Sequence, residues 1–210
     1  MSFQTRVVGW LTAGLTVGLV LAQPVNAQDK AVGITVRGGA FNAITDLNDA
    51  ATADFKKTGY NVGGGINLDL HKYFALRGDF TYARNELRQN ELDTGLDLNR
   101  FFYDGAVQIQ YATETWKPYL FVGAGAVTLH PVGSTADDKT KFAGTAGLGV
   151  TYYIPGTNLG IGVEGKSWLY DFNEVPGQLS NIDKTQFEAT WSAGVTYRIP
   201  LSRGTASANR

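Results

Sequence analysis

Period-two alternation of apolar and polar residues is the feature that most limits what this chain can fold into. It recurs in eight stretches and is clearest in the last. There Phe187, Ala189, Trp191, Ala193, Val195, Tyr197 and Ile199 fall on one face, with Glu188, Thr190, Ser192, Gly194, Thr196 and Arg198 on the other. Successive side chains of a strand point to opposite sides, so the pattern is a strand with one apolar and one polar wall. Eight such strands can close on themselves and leave no free edge. A closed barrel is also one of only two backbone arrangements that satisfy every peptide group inside a bilayer.

The spacing predicts strands at 31–41, 58–70, 73–84, 98–112, 117–130, 140–154, 158–170 and 184–199. The connections between them alternate in length. Segments 42–57, 85–97, 131–139 and 171–183 are long, whereas His71-Lys72, Thr113 to Trp116, and Pro155-Gly156-Thr157 are short. Membrane barrels have this alternation of short turns and long outer loops, and a soluble sandwich has no reason to keep it. The expected fold is therefore all-β: an eight-stranded antiparallel up-and-down transmembrane β-barrel.

A targeting segment precedes the barrel. Arg6 is followed by an apolar run from Val7 to Ala22, then by Val25-Asn26-Ala27, with small residues where a signal peptidase cuts. At about sixteen residues the run is short for a spanning helix, so a cleavable signal is expected over residues 1–27 rather than an anchor. The barrel then occupies residues 28–200, and the polar tail 201–210 is expected to be disordered. The chain has no cysteine, so neither a disulfide framework nor a lipidated thiol is available. A net charge of −1 argues against nucleic acid as a partner.

Alternation alone does not say which wall faces outward. A soluble carrier of the lipocalin type also has eight up-and-down strands, with its apolar wall turned inward around a ligand. Three features favour the membrane. The polar wall carries Arg37, Arg77, Asp79, Asp104, Glu164, Lys166, Glu188 and Arg198, four charges of each sign that can pair across a narrow lumen. The same wall holds Gly33, Gly63, Gly65, Gly147, Gly149, Gly160, Gly162 and Gly194, which suits a tight interior crowded by long side chains. Aromatic residues gather near both strand ends. Tyr73, Phe74, Tyr111, Trp116, Tyr119, Tyr152 and Tyr197 lie toward the short turns. Phe41, Tyr60, Phe80, Tyr82, Phe101, Tyr103, Trp168, Phe172 and Phe187 lie toward the long loops. Two belts bounding an apolar band suit anchoring at headgroup level.

Three stretches resemble the small outer-membrane β-barrel family of OmpA-, OmpX- and opacity-type proteins. They are Lys117-Pro118-Tyr119-Leu120-Phe121-Val122-Gly123-Ala124-Gly125-Ala126, then Gly147-Leu148-Gly149-Val150-Thr151-Tyr152-Tyr153, then Ser192-Ala193-Gly194-Val195-Thr196-Tyr197-Arg198. The resemblance covers about residues 30–200. It implies location in the outer membrane of a Gram-negative type cell, both termini on the periplasmic side, and a structural or surface-interacting role. It implies as partners outer-membrane lipid and lipopolysaccharide, the barrel assembly machinery and an extracellular ligand at the loops, with the protein itself a monomer. The chain departs from the family in ending beyond its last aromatic, Tyr197, and in having no peptidoglycan-binding domain after the barrel.

Chemistry-bearing motifs are sparse, and no cofactor, metal or catalytic residue is expected. His71 falls in a short turn. His130 ends a strand near Ser134 and the Asp137-Asp138 pair, which invites comparison with a hydrolytic triad of the lipid A-modifying kind. In those enzymes a serine stands two residues after the histidine; here that residue is Val132. The loop acids Asp46, Asp49, Asp54, Glu86, Glu91, Asp93 and Asp97 lack the spacing of a calcium loop. The eight lumen charges are the residue-level expectation, and as a plug they imply very low conductance. A small passive pore is the alternative.

Overall fold

The computed structural model describes residues 30–44, 53–55, 58–89, 92–132, 138–172 and 184–201. Among them are nine strands and no helix: β1 (Ala31–Ala43), β2 (Ala53–Phe55), β3 (Thr58–His71), β4 (Phe74–Gln89), β5 (Leu92–Gln110), β6 (Trp116–Val132), β7 (Lys139–Tyr153), β8 (Leu159–Phe172) and β9 (Lys184–Pro200). The eight long strands pair antiparallel with their chain neighbours. β1 pairs with β9 from Ala31↔Pro200 to Ala43↔Glu188, which closes the barrel. The expected signal segment 1–27 and the tail beyond Leu201 lie outside the described residues.

The walls face as the membrane reading requires. On β9, Trp191 is 63 % exposed and Val195 50 %, while Glu188 between the outward Phe187 and Ala189 is fully buried. On β8, Glu164 is 7 % exposed beside outward Val163. An internal ligand pocket of the carrier type would need the reverse, so the soluble alternative is excluded. The exposed apolar band, with Ile34, Val36, Ile66, Leu120, Val122, Leu148 and Ile161, is the surface that acyl chains cover.

Two expectations are corrected. Segment 85–97 is no long loop: β4 and β5 continue as a paired hairpin through Glu86↔Asp97 to Gln89↔Leu92, with a register shift between Glu86 and Arg88. The short β2 pairs with the other edge of β4, Ala53↔Gln89 to Phe55↔Leu87, so three strands stand above the barrel rim. The second correction concerns the aromatic belts. Phe41, Trp168 and Tyr119 point into the lumen, because each shares its strand parity with the inward charges. Tyr60, Phe80, Tyr103, Tyr111, Trp116 and Tyr197 remain outward and exposed. The Phe172 side chain lies outside the described set.

At the opposite end the connections are tight. Lys72 and Tyr73 form the turn between β3 and β4, after an irregularity between Asp69 and His71. Gly156, with φ of 77°, turns the chain between β7 and β8 in the left-handed region that glycine adopts without cost.

Candidate functional site

Period two brings Arg37 of β1, Arg77 and Asp79 of β4, Asp104 of β5, and Glu164 and Lys166 of β8 into one buried cluster at the lumen centre. Register explains how they fit. Arg37 lies opposite Gly63 and Gly194, Asp79 opposite Gly65, Asp104 opposite Gly125, Glu164 opposite Gly149 and Lys166 opposite Gly147. Each long charged side chain thus has a neighbour without one, and the space left over is where it reaches across the barrel.

The six groups form one network. Arg37 binds Asp79 with one guanidinium nitrogen and donates to Glu164 with the other at 2.9 Å. Arg77 donates to Asp79 at 2.7 Å and to Glu164 at 2.9 Å. Lys166 Nζ donates to both Asp104 oxygens at 2.7 Å and to Asp79 at 3.2 Å. Asp79 and Asp104 are direct cross-strand partners, an unfavourable juxtaposition of like charges that the Lys166 ammonium offsets by sitting on both. Tyr119 donates its hydroxyl to Glu164 at 2.9 Å, and Trp168 Nε1 lies 3.4 Å from Asp104. Three cations meet three carboxylates, so the centre carries no net charge and every ion has a partner, as burial demands.

A second layer lies toward the long-loop end. Phe41, Leu98, Phe102, Val127, Leu129, Ala143, Trp168 and Tyr170 form a buried apolar core across the lumen. Phe102 and Trp168 stack with ring centres 4.2 Å apart. Within it Glu188 faces the Arg100 guanidinium at 2.8 Å, and Arg100 also donates to Asn85 and lies over the Phe41 ring. A third layer lies at the short-turn end. Lys117 Nζ contacts Asp69 at 3.3 and 3.4 Å, Gln110 donates to Asp69 at 3.2 Å, and Arg198 stands 3.9 Å from the same carboxylate.

Of the eight charges expected in the lumen, the structure therefore gathers Arg37, Arg77, Asp79, Asp104, Glu164 and Lys166. It sets Glu188 in the outer layer and Arg198 at the inner mouth, where its side chain is 30 % exposed. Sequence reasoning missed Arg100, Asp69, Lys117 and Tyr119. Parity was the available signal: Arg100 is four residues from Asp104 on β5, and Lys117 and Tyr119 share the inward face with Phe121.

His130 is on the outer rim, its Nδ1 2.5 Å from Asp138, with both side chains about half exposed. Ser134 and Asp137 lie outside the described residues, as do the side chains of the loop acids. Among the described residues no group of three or more histidines and acids is placed to hold a metal ion. His71 packs against Tyr73 at the β3–β4 turn, with ring centres 5.2 Å apart.

The family described as outer membrane protein beta-barrel domain matches residues 13–200. No protein with a curated description matches. Among solved structures, Neisserial surface protein A is 14 % identical, with a TM-score of 0.53 over 81 % of this chain and 96 % of that one. The outer membrane protein OprG from Pseudomonas aeruginosa is 13 % identical, with a TM-score of 0.53 over 82 % of this chain and 98 % of that one. At such identities the likeness is one of fold.

Proposed function

From the premise that this chain belongs to the outer membrane protein beta-barrel family and resides in the outer membrane, we propose that it is a closed structural barrel, supporting the envelope and presenting its outer connections to partners without conducting solutes. One observation carries this reading: three side-chain layers stand in series across the lumen, and the central one is a charge-balanced network whose members hold one another. A permeating ion would have to separate partners that are costly to leave unpaired in the interior. An eight-strand barrel encloses little more than its own side chains, so the described residues leave no second path.

The partners proposed are those the family resemblance implies. Outer-membrane lipid and lipopolysaccharide meet the apolar band and its rim, the barrel assembly machinery inserts the chain, and an extracellular ligand meets the loops of a monomer. On this reading no cofactor takes part and the protein is not an enzyme: Val132 stands two residues after His130, where the lipid A-modifying pattern has its serine. His130→Ala leaves the lipid A profile unchanged on this reading.

A small passive pore is the second reading, favoured by a small cavity on the short-turn side of the central cluster. Planar-bilayer recording of the purified protein separates the two. The expected trace has no stable unitary openings; reproducible openings that shift with Glu164→Gln establish the pore instead.

A further inference from the structure

That small cavity has a wall unlike the rest of the lumen. It measures about 20 Å³, more than one water molecule needs. Arg37, Arg77 and Lys117 line it, and Glu164 is the one carboxylate on its wall among the described residues. The other acids of the centre, Asp79 and Asp104, lie on the far side of the arginines and do not reach it. Three cationic side chains and one carboxylate therefore line the chamber, while Asp79 and Asp69, which pair those cations, lie outside its wall.

Its donors are also incompletely used. The Lys117 ammonium has three protons, yet both contacts to Asp69 are long for a charge-assisted bond, at 3.3 and 3.4 Å. The Thr35 and Thr196 hydroxyls bond each other at 2.9 Å. One donates and the other keeps its proton for a third partner. A guest that brings negative charge and no protons satisfies such a wall better than water does.

We propose that this chamber is a binding site for a single halide-sized inorganic anion, held between the Lys117 ammonium, the Arg37 guanidinium and the Thr35–Thr196 hydroxyl pair. The site is independent of whether the lumen conducts, because it lies wholly on one side of the central network.

The test uses bromide. Crystals of the detergent-extracted protein grown in sodium bromide are expected to show an anomalous bromide peak in the chamber. In solution, the thermal midpoint is expected to be higher in chloride or bromide than in an equal concentration of methanesulfonate. Lys117→Met removes both signals. Thr196→Val, which keeps shape and deletes one hydroxyl, weakens the halide response about tenfold, the size of one hydrogen bond to a charged group. If Lys117→Met does not fold, Thr35→Val with Thr196→Val takes its place. A chamber holding water only, a bromide peak that survives both sets of variants, or a peak in crystals without any halide-dependent midpoint each overturns the proposal.

Discussion

Glu164 accepts three bonds at 2.9 Å, from Arg37, Arg77 and Tyr119, and no other carboxylate of the central cluster joins both arginines and the tyrosine. Glu164→Ala strands two guanidinium edges and a phenol inside the barrel. The expected cost is about 3–5 kcal/mol in urea unfolding from lipid vesicles. Arg198→Ala is the control: its side chain is 30 % exposed and 3.9 Å from Asp69, so the loss stays below about 1 kcal/mol. Equal midpoints for the two variants would show that the network holds nothing together. Arg77, Asp79, Glu164 and Lys166 were legible in the sequence because they are charged positions in otherwise clean alternation. Arg100, Lys117 and Tyr119 were not, because they share their inward faces with Leu98, Phe102 and Phe121. A narrow lumen packs like a core, so polar-in and apolar-out fails there while odd–even parity along the strand still holds.

Strands adjacent in the sheet show the same division through their glycines. Gly65 of β3 faces inward, and a Cβ built on it would fall on the Asp79 carboxylate. Gly78 of β4 faces outward and meets nothing within 4 Å. Gly65→Ala therefore displaces Asp79 from Arg37, Arg77 and Lys166, at a cost of about 1–3 kcal/mol. Gly78→Ala changes the urea midpoint by no more than about 0.5 kcal/mol in free-energy terms. A reversal of that order would mean that the glycines serve the backbone alone. Element positions were legible to within a few residues wherever one strand face meets lipid. They were lost above the rim. Residues 85–97 show no clean period-two apolar face, and their polarity reads as loop. The rim strand β2 is three residues long, too short for any period to register.

At the scale of the whole barrel, the layers act in series. Trp168→Ala opens the apolar layer and leaves the charged one shut. Asp79→Ala with Lys166→Ala does the opposite. Neither is expected to give stable openings in a planar bilayer; openings are expected only when both changes are combined with Lys117→Ala, which also loosens the short-turn layer. Openings from Trp168→Ala alone would move the barrier to the outer layer. The eight-strand count and the closure were readable from the period-two pattern, and the outward apolar wall from the charges and glycines gathered on the opposite wall. What no single stretch of sequence carried was the pairing across the lumen, which depends on the register of strands far apart in the chain. Arg37 belongs to the first strand, yet its partners come from β4 and β8, and β1 also forms the seam with β9. Until that seam is sealed, Arg37 and Arg77 lack Glu164, and Lys166 lacks the Asp79 and Asp104 it bridges. The fastening at the middle of the molecule is therefore complete only once both ends of the chain have met.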